Sequence, residues 1–257
     1  MMKIYYENDI EFIREYEKER LDYALQAAGI DEAQFRHIKY ELIKARSMSV
    51  STVDELRKKA ECILYDKRFI VDQTLYEPTE RVYKEVDYFI NLYTAFYAPQ
   101  LCADAGQIMA NYIVMVMGKQ ADALDYIIIP HDSNLLLGLE VGKILRKPVV
   151  AIQDKERIHK YEFWDGDYNK NRSSNNKNKV IIIHDVLVTG RRIYESVERL
   201  PQGTYEVEGL YCLFKYVHEE YHPEKILQEH NICNINCLID TDEETLKKIY
   251  KDNGKES

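Results

Sequence analysis

The chain has no apolar run approaching the roughly 20 residues that a membrane span requires. Met1 to Arg20 is charged and lacks the apolar core of a secretory signal. These two absences predict a cytoplasmic protein with no membrane association. It has no basic excess either: 35 Lys and Arg stand against 44 Asp and Glu, for a formal net charge of −9. That argues against a broadly nucleic-acid-binding surface. Cysteine is sparse and odd in number, at Cys62, Cys102, Cys212, Cys233 and Cys237, which excludes a disulfide framework in a cytoplasmic chain. Cys233 and Cys237 have no second close Cys/His pair beside them, so they read as structural thiols rather than half of a zinc site. His218 and His222 have metal-like spacing but precede Pro223 and lack a third ligand. One Trp accompanies 21 Tyr, an excess that reads as core and surface packing.

What is present is a charged yet apolar chain of 257 residues, 31% charged and 46% hydrophobic, enough to bury one sizeable core plus an appendage. Residues 7–28, a stretch from Asp31 through Ile43, and one opening at Ser51-Thr52-Val53-Asp54-Glu55 have helical patterning with capping residues. Residues 1–75 therefore read as a helical N-terminal region, with 76–257 as the α/β domain. Pro99 and Gly118 bracket a strong helix candidate. Beyond it, Tyr126–Ile129, 148–152, 180–184, 207–214 and 235–239 read as strands alternating with helices. That predicts an α/β fold with a mostly parallel, doubly wound sheet whose ligands sit at the carboxyl ends of the strands. The Asn-rich stretch 153–179 is too polar for a core and reads as a lid over that edge.

The richest segment runs from Val180-Ile181-Ile182-Ile183 through His184-Asp185-Val186-Leu187-Val188-Thr189-Gly190 to Arg191-Arg192. A buried strand there meets an acid, a short polar turn and a helix start. Such a loop gathers unpaired backbone N–H groups suited to a phosphate. The acid can accept hydrogen bonds from sugar hydroxyls, and Arg191 or Arg192 can add charge. The segment points to a sugar-phosphate site.

The same segment resembles the phosphoribosyl-pyrophosphate (PRPP) motif of type I phosphoribosyltransferases. Tyr88-Phe89-Ile90-Asn91-Leu92, the helix from Pro99, Ile127-Ile128-Ile129-Pro130 and Gln153 to Lys160 are similar to successive elements of the orotate phosphoribosyltransferase branch. The resemblance covers about residues 85–215. It implies that Asp185 binds the ribose hydroxyls and contacts a magnesium ion carried with PRPP. Thr189 and Gly190, with the amides of 187–191, Val188 among them, would hold the 5′-phosphate, and Asp132, Ser133 and Asn134 occupy the pyrophosphate-loop position. Arg157 and His159 match the catalytic-loop cation and histidine. The resemblance further implies a homodimer and a small-molecule phosphoribosyl ligand.

The motif also departs from the family pattern. His184 replaces the first acid, Val188 the first Thr and Arg192 the final hydroxyl residue. Gln153 and Asp154 replace the loop's Arg and Lys, and the pyrophosphate loop lacks glycines. Three readings stay open. One is an enzyme that transfers or hydrolyses at the anomeric carbon of PRPP or a nucleotide. Another is a catalytically degenerate sensor of such a ligand. The last is a nucleotide-directed effector of a bacterial defence system, held by a protein partner through the N-terminal helices.

Overall fold

The computed structural model describes residues 52–252 apart from 78, 82, 94, 131, 153–176 and 201–202. The helices expected within 7–43, the lid segment as far as 176, His131, Arg157 and His159 lie outside the described residues.

The first described helix, α1 (Val53–Leu64), starts where the sequence places its cap. The Thr52 hydroxyl accepts from the Glu55 N–H at 3.2 Å, and Asp54 and Glu55 occupy the first turn at the positive end of the dipole. Leu56, Ala60 and Leu64 recur one turn apart and are buried. Arg57 Nε donates to the Leu238 carbonyl at 2.7 Å, which ties the helix to the sheet. Helix α1 falls in the same compact unit as the other described residues.

Two short strands, β1 (Ile70–Asp72) and β2 (Tyr88–Ile90), pair antiparallel. Helix α2 (Pro99–Met117) begins with Pro at its first turn and ends at Gly118, where φ is +57°. Contrary to the expectation that no apolar run approaches the length of a span, the stretch from Pro99 to Ala123, alone among the described residues, is long and apolar enough, by length and composition, to cross a membrane. The protein itself covers most of it. Ala105, Ile108, Met109, Ala110 and Ile113 are buried, so α2 is a core helix. Gly106 lets α3 (Leu135–Leu145) approach, because a Cβ there would sit 2.5 Å from the Glu140 Cβ.

The main sheet has five parallel strands in the order β4-β3-β5-β6-β7. They are β3 (Tyr126–Ile129), β4 (Val149–Ala151), β5 (Asn178–Leu187), β6 (Tyr205–Tyr216) and β7 (Ile235–Thr241). Val180, Ile181, Ile182 and Ile183 are all fully buried, as a central strand covered on both faces requires. On one face Val180, Ile182, Leu210 and Cys212 pack with Ile193 of α4 (Arg191–Val197) and Leu227 of α5 (Pro223–Glu229). Ile129 packs against Gly138 of α3, and the Tyr211 ring meets Tyr112 of α2 edge-on at 6.1 Å, which covers the other face. The architecture is the α/β doubly wound sheet that the alternation of patterns predicts, with every described pairing in the main sheet parallel.

Two details differ from the sequence expectation. Strand β5 continues to Leu187 rather than ending at His184, because β6 runs alongside and pairs Leu187 with Lys215. Helices α5 and α6 (Glu243–Asp252) also appear. Asp242 caps α6 by accepting from the Thr245 N–H at 2.8 Å, and Glu243 and Glu244 sit in its first turn. His222 is the N-cap residue of α5.

Candidate functional site

The carboxyl end of β5 brings His184 and Asp185 together. His184 Nδ1 lies 3.0 Å from Asp185 Oδ1, and the two side chains are 14% and 11% exposed. The contact is an ion pair when the imidazole is protonated. It is out of line for a hydrogen bond, which leaves Nδ1 without a hydrogen-bond partner. Burial alone would push the Asp185 carboxyl up. The His184 imidazole, the Val186 N–H and the Asn134 amide together outweigh that cost and hold it below the usual carboxylate range. Asp185 is therefore a buried carboxylate that stays ionised.

The second strand end approaches from β3. After Pro130 the chain makes one tight turn, Asp132–Asn134, before α3 begins. Asn134 is fully buried. Its Oδ1 accepts the Asp185 backbone N–H at 2.9 Å, and its Nδ2 donates to Ser133 Oγ at 3.3 Å. A buried amide needs such partners. Asn134 thus locks the 132–134 turn to the acid 51 residues away. Asp132 takes its place at the start of this turn.

With β5 extended, the intervening loop is only Val188-Thr189-Gly190. Val188 is buried. Thr189 Oγ1 accepts from the Arg191 N–H at 3.4 Å. Gly190 adopts φ +73°, a left-handed conformation that glycine takes without steric cost. Its carbonyl accepts from the Ile193 and Tyr194 N–H groups, each at 3.1 Å. Ser196 Oγ, in the next turn of α4, lies 2.8 Å from the carbonyl oxygens of both Pro130 and Arg192. One buried hydroxyl thus joins the two loops.

The two arginines separate in role. Arg191 Nε is paired with Glu195 Oε1 at 2.7 Å one turn along α4. The Arg192 guanidinium has no ion-pair partner among the described residues.

Among the described residues, no three His, Cys, Asp or Glu side chains come together as a metal cage. Among the described side chains, the site offers a hard cation one ionised carboxylate, Asp185. This suits magnesium only as an ion that brings most of its oxygen ligands with it, as waters or phosphates.

No family model matches the sequence, and no curated protein matches it. Solved structures do match the fold. The orotate phosphoribosyltransferase from Aeropyrum pernix aligns with a TM-score of 0.52 over 77% of this chain and 98% of its own, at 16% identity. The fold is that of the type I phosphoribosyltransferases. The UMP synthase of Leishmania donovani aligns with a TM-score of 0.51 at 14% identity, over 80% of this chain and 39% of that one. Identities this low establish a phosphoribosyltransferase-like fold and nothing finer. Within that fold, His184, Asp185, Val188, Thr189, Gly190, Ser133 and Asn134 converge at the carboxyl ends of β3 and β5.

Proposed function

We propose that the protein binds a phosphoribosyl ligand, PRPP or a nucleotide, and transfers or hydrolyses at the ribose anomeric carbon. One observation carries the reading. A buried carboxylate, Asp185, is kept ionised at the end of the central strand by groups from two different loops. An ionised acid there serves to accept hydrogen bonds from sugar hydroxyls. The amides of 188–190 and the Arg192 guanidinium would take the 5′-phosphate. Ser133 and Asn134, with Arg157 and His159, would serve the pyrophosphate side.

With PRPP the bond from the anomeric carbon to pyrophosphate breaks, the electron pair leaves with pyrophosphate, and a base nitrogen or a water oxygen forms the new bond and gives up its proton to solvent. With a nucleotide the glycosidic bond breaks instead, the base leaves with the electron pair and takes up a proton, and a water oxygen forms the new bond. The protein's part is positioning and charge stabilisation around an oxocarbenium-like state. Asp185 would be the protein contact for magnesium carried with the ligand, which would supply neutralisation of leaving-group charge. The cytoplasm, where PRPP and nucleotides are found, is the compartment that this reading implies.

His184 favours a second reading, a sensor that binds without turnover. It puts an imidazole where the motif has an acid, so one acceptor for the ribose is replaced by a group that contacts Asp185 itself. Isothermal titration of PRPP with magnesium, on wild type and Asp185→Asn, followed by a pyrophosphate-release assay, separates the readings. Saturable binding lost in Asp185→Asn supports the site, and release distinguishes enzyme from sensor. No binding at millimolar PRPP refutes both.

A further inference from the structure

Strands β6 and β7 put two cysteines side by side. Cys212 and Cys237 are register partners in the parallel ladder. Residues paired in this way project to the same face of a sheet, with their strands about 4.8 Å apart. A disulfide needs Cα atoms about 4.4–6.8 Å apart and side chains that do not diverge. Both side chains lie on the face covered by α4 and α5, where Cys212 belongs to the packed core and Cys237 packs against it. Both are free thiols.

The two thiols differ in access. Cys212 is fully buried, and burial pushes its thiol well above the usual range, with the neighbouring Cys237 adding to the shift. Cys237 is half-buried and lies on β7, the last strand of the described sheet. Helices α1 and α2 hold the backbone here. The Tyr112 hydroxyl donates to the Cys237 carbonyl at 3.1 Å, and Arg57 Nε donates to the next carbonyl, that of Leu238. A small oxidant therefore meets Cys237 first, with the Cys212 thiol beside it to resolve the product.

We propose that Cys212 and Cys237 form a reversible redox modification site, closed to a disulfide by a peroxide and reopened by a thiol reductant. With hydrogen peroxide, the Cys237 sulfur attacks one oxygen, the S–O bond forms as the O–O bond breaks, and the leaving hydroxide takes the thiol proton as water. The Cys212 sulfur then attacks the Cys237 sulfur. The S–S bond forms, the S–O bond breaks, and hydroxide departs with the Cys212 proton as a second water. The two thiols lose two electrons in all, and the peroxide gains them. Two external thiols reverse the bond by exchange and are themselves oxidised to a disulfide. The product ties β6 to β7 covalently. Cys212 is also the register partner of His184 on β5, so the bond forms one strand away from the Asp185 site. This chemistry does not depend on what that site binds.

The test is peroxide treatment of the folded full chain and of Cys233→Ser. Remaining thiols are alkylated, the monomer band of a non-reducing gel is digested with trypsin, and the peptides are weighed by mass spectrometry. Residues 200–215 carry Cys212 and residues 226–247 carry Cys233 and Cys237, each as one tryptic peptide. Cys233 is exposed and competes for the same partner, so the variant removes it. In both proteins the two peptides should appear joined, two hydrogens below their summed mass, and dithiothreitol should separate them. Joined peptides from wild type but not from Cys233→Ser assign the bond to Cys233 and overturn the proposal. So does an alkylated Cys212 beside a Cys237 that is either alkylated or oxidised to a sulfinic acid. If Cys233→Ser melts early, fragmentation of the joined wild-type peptides decides, and a link at Cys233 rather than Cys237 overturns the proposal.

Discussion

Replacing Asn134 with Leu probes the joint between the two strand ends. The side chains are similar in volume, so the change removes polar contacts with little loss of packing. The Asp185 N–H loses its acceptor in a buried setting, which costs about 1–3 kcal/mol. The amide also helps, after His184 and the Val186 N–H, to hold the Asp185 carboxyl below its usual range. For a domain of this size a loss of about 2 kcal/mol lowers the melting temperature by roughly 4–8 °C. A double-mutant cycle with Asp185→Asn separates the two effects, because the backbone contribution persists in that background and the carboxylate contribution vanishes. The coupling should be positive. The measurement is urea unfolding of the four proteins by circular dichroism. An Asn134→Leu protein within 0.5 kcal/mol of wild type would refute the claim that this amide holds the site together, and zero coupling would refute the carboxylate part alone.

Asp185 also sets an acid limit. Its folded value is depressed, so its ionised form favours the native state. That contribution is complete above the unfolded value near 3.9 and is lost as pH falls through the lower folded value. Wild-type stability should decline more steeply below about pH 4 than that of Asp185→Asn, and equal acid slopes in urea melts at pH 3–7 would contradict this. Gly190→Ala should cost about 1–2 kcal/mol, the penalty for a left-handed alanine, because its Cβ would also press on Leu227 at 3.1 Å. A shift in the denaturation midpoint reports it. Arg192→Gln should weaken PRPP binding about tenfold while Arg191→Gln changes it less than twofold, since Arg191 is already paired with Glu195. Equal losses by titration calorimetry would erase the distinction.

Much of the core was legible because it rests on local pattern. The run Val180–Ile183 announces a fully buried strand. Pro99 and Gly118 bracket α2 almost to the residue, and Thr52 caps α1 as its spacing demands. The extent of β5 was not legible, since whether Val186 and Leu187 continue the ladder depends on Phe214 and Lys215 of β6. At the site, Asp185 stands out in the sequence by its place after an apolar run. Its bond to Asn134 does not, because a single side-chain contact between distant loops leaves no periodic trace. The same holds for Gln73, a polar residue in a polar-looking stretch, whose buried amide donates to the Tyr83 and Val86 carbonyls at 3.0 and 2.9 Å. The sequence treats Arg191 and Arg192 as equivalent, and the structure separates them through Glu195.

The Ser196 hydroxyl has one further consequence. Because it spans the Pro130 and Arg192 carbonyls, the loop ends on β3 and β5 form one girder rather than two independent fingers. A molecule that touches both does not have to draw them together, so little of its affinity is spent on ordering the frame. Substitutions that tune the grip on one end of a ligand should therefore shift the grip on the other, and selection for a new ligand at this edge would have to move the pair as a unit.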